Sequence, residues 1–200
     1  MRPLTTLSSG HDIDLYWPDL SPLGIEQVAH SLAHINRFSG HALRAISVAE
    51  HSLMVCEILD RHLQVRSPSV LLAGLMHDAH ECLTGDVTSP MKALLGEEWK
   101  AAELRIQRQV LKHFECWTAF SSNHLLITEA DRHALSAERE QLMPLGQTWP
   151  VQITHPAPTW CVYPLTPSLT ADDWREAFTA RFTELQTARE AQNDLINHKD

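Results

Sequence analysis

Apolar residues return every three or four positions through most of this chain, the period of an α-helix whose inner face is buried. In residues 21–38, Ser21 reads as an N-cap and Pro22 as the first helical residue. Ile25, Val28, Ala29, Leu32, Ile35 and Asn36 then trace one mostly apolar face. The stretch SVAEHSLMVCEILDRHL carries the strongest helix signal. Ser47 and Glu50 are spaced as a capping box, and Val48, Val55, Ile58 and Leu59 continue inward. SPSVLLAGLMHDAHECL repeats the Ser-Pro start at Ser67 and Pro68. It is apolar nearly all round until Met76, which predicts the central, most buried helix. SPMKALLG predicts a short helix stopped by Gly96, followed by an amphipathic helix over 97–114 and another over 124–143.

The pattern then changes. Residues 144–169 hold six prolines, so this segment is expected to be largely irregular, with short strands possible at VQIT and WCVY. Trp149, Trp160 and Tyr163 are available for its packing. Thr170 caps a last helix with Trp174, Ala177, Phe178 and Phe182 on its inner face, and the chain is expected to fray after about residue 188. The expected organisation is one all-α domain over residues 1–200. It has a motif core over about 25–143, a Pro-rich covering segment over 144–169 and a C-terminal helix over 170–188.

Composition narrows the function classes. The 200 residues carry a formal charge of −9, which does not suit a nucleic acid polymer as partner. No apolar run approaches the roughly 18 residues of a membrane span. The four cysteines are scattered, with no C-x-x-C pair, and read as reduced thiols of a cytoplasmic protein. Histidine is frequent, at 13 residues, so position matters more than number.

The densest chemistry is in GLMHDAHECLTGD, residues 74–86. An apolar helix runs into His77 and Asp78, with Glu81 four residues after His77 and Asp86 beyond a Thr84-Gly85 turn. A carboxylate in apolar surroundings is costly unless paired, hydrogen-bonded or coordinated. A lone His-Asp pair is most often an ordinary helix C-terminus, His51 alone a core histidine, and Asp131 alone a solvated helix residue. Imidazole nitrogen with carboxylate oxygen is nevertheless a usual ligand mixture for Zn, Mn, Co or Fe.

The ordered set resembles the HD-domain metal-dependent phosphohydrolase superfamily, and in particular its small bacterial and phage 5′-deoxynucleotidase-like branch. HINRFSGH resembles the family's INRW segment, SVAEHSL its VSEHSL, HDAHECLTGDVTSPMK its HDASEVLTGDLPTPVK, and EADRHALSAE its QAD helix. The resemblance spans roughly residues 25–140 and implies an all-α HD-domain helical bundle. It implies that His51, His77, Asp78 and Asp131 hold one divalent metal ion (Mn, Co, Zn, Fe or Mg). Glu81 would orient or deprotonate the attacking water, and Asp86 would sit near the sugar and leaving oxygen. Arg37 would neutralise phosphate, Phe38 would wall the sugar pocket, and Ser89 and Lys92 are further substrate contacts. Lys92 and Arg44 are the candidate cations for a longer phosphate chain. His30, His34, His41 and His80 are read as supporting or structural.

The implied activity is hydrolysis of the 5′-phosphate of deoxyribonucleoside monophosphates, with a small-molecule nucleotide as partner and no membrane. Two alternatives remain: a deoxynucleoside triphosphate triphosphohydrolase, and a non-catalytic nucleotide-binding module. A homodimer is expected from the small relatives. Phe38 stands where the family has tryptophan, which separates strict deoxyribose selectivity from the rest of the inference.

Overall fold

The computed structural model describes residues 2–144, 155–165 and 169–197. The chain opens on a hairpin, β1 (Leu4–Thr6) antiparallel to β2 (Asp12–Asp14), with Thr5 opposite Ile13. Gly10, at φ 85°, supplies the left-handed residue of the turn. Ile13 is buried, and Thr5 Oγ1 donates to the Leu83 carbonyl, so the hairpin clamps the site segment from outside.

Helix α1 (Ile25–His34) begins three residues later than the Ser21-Pro22 signal predicts. Leu23 turns back onto the Leu20 carbonyl and is buried, and Gly24 becomes the cap, its N–H donating to Gln27 Oε1 at 2.9 Å. Core burial of Leu20 and Leu23 outweighs the local start signal. Helix α2 (Val48–Glu57) follows, widening into a π-type turn over Ile58–His62. Only half of its expected capping box forms. Ser47 Oγ accepts from the Glu50 amide, but the Glu50 carboxylate turns to Arg44 in a bidentate pair at 2.7 and 2.9 Å.

The third helix corrects the sequence reading. α3 spans only Pro68–Leu75, and residues 76–80 are a series of tight turns before the one-turn α4 (Glu81–Thr84). Gly74, His77 and Asp78 are poor helix formers, and the late bonds are of the i→i+3 kind, Ala79 to Met76 and Glu81 to Asp78. The apolar part is as buried as expected: Leu72, Ala73 and Leu75 have no exposure. Each leucine contributes roughly 1.5–3 kcal/mol by its burial.

Helix α5 (Ser89–His113) is broken at Gly96, at φ 73° and ψ −156°, as the sequence predicts. A six-residue helix not foreseen from sequence, α6 (Trp117–Ser122), leads into α7 (His124–Leu142). The last helix, α8 (Ala171–Asn197), runs past the expected fraying point. Thr170 caps it through reciprocal bonds with Asp173, and Phe178, Phe182 and Leu185 are buried where α8 crosses α1, α2 and α3.

The WCVY stretch forms no strand. It is irregular chain stitched to α7: Tyr163 N–H donates to Gln141 Oε1, and Gln141 Nε2 to the Cys161 carbonyl. VQIT and Trp149 lie outside the described residues. The architecture is an all-α bundle, and no described helix is long and apolar enough to cross a membrane. All four cysteines are buried and free. Burial pushes the thiols of Cys82, Cys116 and Cys161 up to about 12, which makes them inert.

Candidate metal centre and substrate pocket

Two helices and one turn bring the expected ligands together. His51 projects from the middle of α2, His77 and Asp78 from the turn after α3, and Asp131 from the second turn of α7. Ligand atoms of His51, His77 and Asp78 all lie within 4.8 Å of one another, the one such group among the described residues. Asp131 adjoins it, with Oδ1 at 3.1 Å from His51 Nε2. His77 Nε2 is 3.0 Å from Asp78 Oδ2, and His51 Nε2 is 3.7 Å from the same oxygen.

The tautomers show what these atoms are arranged to hold. His77 Nδ1–H donates to the Gly74 carbonyl at 2.9 Å, one of the free acceptors at the end of α3. His51 Nδ1–H donates to Glu138 Oε1 at 2.7 Å. Both Nε2 lone pairs therefore face carboxylates, acceptor against acceptor, and both nitrogens are buried without a hydrogen-bond partner. A cation resolves that conflict. Burial and Arg37 work against a charge on His51, yet Glu138 and Asp131 outweigh them and lift its pKa to about 10. Two imidazoles and two carboxylates with orphaned buried nitrogens thus fit a divalent ion, which His51, His77, Asp78 and Asp131 would hold.

Glu138 was not singled out from sequence, although it closes the EADRHALSAE stretch two helical turns after Asp131. It is fully buried. Its Oε1 accepts from His51 Nδ1 and, at 3.4 Å, from the Tyr163 hydroxyl. Its Oε2 accepts from Arg37 Nε at 3.1 Å and lies 3.1 Å from Nη2. Burial disfavours its charge, but Arg37 and His51 hold the carboxyl below its ordinary value. One carboxylate therefore fixes both a metal ligand and the phosphate candidate.

Arg37 leaves its Nη1 directed at Asp78, 4.0 Å away, and lines the pocket above the cluster. Its backbone is pinned by its N–H to the Ile46 carbonyl. The next two residues, Phe38 and Ser39, are both left-handed, at φ 55° and 51°. Such non-glycine residues cost roughly 1–3 kcal/mol each and gather at functional sites. The Phe38 ring lies 5.5 Å from the Arg37 guanidinium carbon.

The pocket, about 500 Å³, is lined by Arg37, Phe38, Ser39, His41, Asp78, Glu81, Asp86, Val87, Thr88, Ser89, Pro90, Lys92, Asp131, Leu135 and Met143. That volume is inside the roughly 300–1,000 Å³ of small-molecule sites. Every sequence-predicted site residue is in this lining except His51 and His77, whose rings are buried. Arg44 is not: its fork is committed to Glu50 and to the Ala45 and Pro164 carbonyls. His41 joins the lining, and His80 is buried, so both are nearer the chemistry than His30 and His34, which contact each other. Ser89 and Met91 present first-turn amides at the start of α5, and Pro90 between them has none to offer.

The acids divide by environment. Burial opposes charge on Asp78, but His77 and His51 hold its carboxyl well below the ordinary value. Glu81 is pushed well above its own by burial and then by Asp78 and Asp86. Burial also raises Asp86, partly countered by Arg37. Lys92 stays charged against burial because Glu103 accepts from it at 2.8 Å.

Residues 29–124 match the family model described as HD domain. An uncharacterized protein of Rhodobacter capsulatus is 37% identical over 115 residues, covering 56% of this chain and 59% of that protein. The uncharacterized protein YfdR of Escherichia coli K12 is 29% identical over 167 residues, covering 82% of this chain and 85% of YfdR. The chain thus spans little more than half the length of the Rhodobacter relative. With the motif order, the helical bundle and the His-Asp cluster at its centre, the match over residues 29–124 supports the HD-domain superfamily, whose members are generally metal-dependent hydrolases.

Proposed function

We propose that this protein hydrolyses the 5′-phosphate of deoxyribonucleoside monophosphates to nucleoside and orthophosphate. The observation that carries the reading is the cluster of two orphaned imidazole nitrogens and two carboxylates beneath a nucleotide-sized pocket that also contains Arg37, Glu81 and Asp86. His51, His77, Asp78 and Asp131 would hold a divalent ion, which when bound would supply Lewis-acid chemistry to this pocket.

The remaining work belongs to side chains. Arg37, held rigid by Glu138, offers Nη1 to a phosphate oxygen. Glu81, buried and more basic than an ordinary carboxylate, takes the proton from water as its oxygen attacks phosphorus. As the P–O5′ bond breaks, Asp86 returns a proton to O5′; its raised pKa suits an acid. Phe38, Leu135 and Met143 give apolar wall for sugar and base.

Charge favours the monophosphate over the triphosphate. The pocket holds four carboxylates, Asp78, Glu81, Asp86 and Asp131, and its two cations, Arg37 and Lys92, are each already paired. With Arg44 committed elsewhere, little remains to receive a longer polyphosphate.

The test is product analysis on ribo- and deoxynucleoside mono-, di- and triphosphates with Mn, Co, Zn or Mg, for wild type and Asp78→Ala. The expected result is orthophosphate from deoxymonophosphates, lost in the variant. Release of intact triphosphate would transfer the same site to triphosphohydrolase chemistry. No turnover by the metal-loaded wild type would refute the enzyme reading.

A further inference from the structure

Lys92 and Glu103 lie eleven positions apart on α5, yet Lys92 Nζ and Glu103 Oε1 are 2.8 Å apart. In an unbroken helix these positions are separated by about 16 Å along the axis, beyond the joint reach of the two side chains. The left-handed break at Gly96 makes the pair possible, by folding the Ser89–Leu95 segment back over the second half of the helix. Ser89, Pro90 and Lys92 of that segment are pocket wall.

Glu103 faces a second group. Its Oε1 is 3.7 Å from Nε2 of His80, a buried ring with no hydrogen bond at either nitrogen. His80 belongs to the turn that presents Asp78 and leads directly into Glu81. One carboxylate therefore touches both the folded-back wall and the turn of acids opposite it. An exposed ion pair would contribute little. This one is partly buried, with side-chain exposures of 32% for Lys92 and 17% for Glu103.

We infer that Glu103 is a positioning residue: it clasps Lys92 and the Ser89–Leu95 segment against the pocket, so that the Lys92 ammonium meets the anionic end of the substrate. What Lys92 meets rests on the phosphohydrolase reading, whereas the clasp rests on geometry alone. Glu103 itself touches no substrate.

The test compares wild type with Glu103→Gln, Lys92→Met and Glu103→Asp in the full chain. Amide hydrogen exchange over residues 89–95 is expected to quicken roughly five- to tenfold in the Gln and Met variants, as loss of a partly exposed hydrogen bond predicts, and to recover substantially in Asp. With deoxynucleoside monophosphate, KM is expected to rise about tenfold for Glu103→Gln while kcat changes little, the signature of lost binding rather than lost chemistry. Unchanged exchange in Glu103→Gln would overturn the clasp. Faster exchange with unchanged KM would overturn its role in positioning Lys92. Absence of turnover in wild type would count against the phosphohydrolase reading alone. Calorimetric binding of inorganic phosphate then replaces KM, with the same tenfold weakening expected and an unchanged affinity overturning the proposal.

Discussion

Glu138→Gln keeps shape and volume while removing one charge from a carboxylate that accepts from His51, Arg37 and Tyr163. An amide offers one acceptor oxygen and one donor nitrogen, so whichever way it is turned a donor faces a donor. Turned with oxygen toward Arg37, it presents N–H to His51 Nδ1. That forces the ring proton onto Nε2, the nitrogen the metal needs. Turned the other way, it opposes the guanidinium, whose remaining near carboxylate is Asp78 at 4.0 Å. Removing one partner of a buried ion pair costs about 3–5 kcal/mol. For a protein of this size each kcal/mol is worth about 2–4 °C of Tm, so a loss of roughly 6–20 °C is expected. Metal affinity should fall about 10–100-fold, the usual consequence of losing the partner that orients a ligand. Urea and thermal unfolding of the metal-free protein measure the first effect, and titration with Mn or Zn against a chelator measures the second. A variant that melts with wild type and binds metal equally well would refute the assigned tautomers and, with them, the argument for the cation.

Other consequences are as direct. For Glu81 the raised folded-state pKa means that the fold holds this proton more tightly than the unfolded chain does. Its contribution is complete below the ordinary carboxyl value and is lost as pH rises through the raised one. Glu81→Gln should therefore match wild type in the Tm of metal-free protein at about pH 4, near the ordinary carboxyl range, and gain on it as pH rises; a variant that loses ground to wild type as pH rises refutes this. Gly74→Ala replaces glycine by a better helix former, but the new Cβ would stand 2.1 Å from Leu59 Cδ1. Overpacking of this kind costs about 1–3 kcal/mol, read by urea unfolding, and a stabilised variant would show that Leu59 can move aside. Arg44→Met should lower stability without changing KM, because its fork is spent on Glu50 and two carbonyls; a raised KM would return it to the pocket.

Much of this protein is local and was legible in the chain. Helical periodicity, the Ser47 and Thr170 caps, the Gly96 stop and the buried apolar run before Met76 depend on neighbours within a turn or two, and the structure has each of them. The HD-domain resemblance rests on motif order, and the HD-domain match over residues 29–124 covers the stretch where most of those motifs lie. The misses share a cause. Pro22 signalled a helix start, but burial of Leu20 and Leu23 moved it to Gly24. Glu50 was spaced for a capping box, but Arg44, six residues earlier, offered two charge-assisted bonds in place of one neutral one. The helix carrying His77 was expected to reach Leu83, yet it opens after Leu75 into turns that aim His77 and Asp78 at one point.

The sequence by itself determined the all-α class, the HD-domain resemblance and the residue types that meet in the His-Asp cluster, because helix periods and ordered motifs are written in short stretches. Only the tertiary structure decided that Glu138 joins His51 to Arg37, that Tyr163 of the Pro-rich segment reaches the same carboxylate, and that Lys92 folds back onto Glu103. Those pairings link residues 87, 101, 25 and 11 positions apart. At such separations a hydrogen bond leaves no period or spacing in the chain. It exists only once the packed core has brought the donors within reach and shut out the water that would otherwise satisfy them.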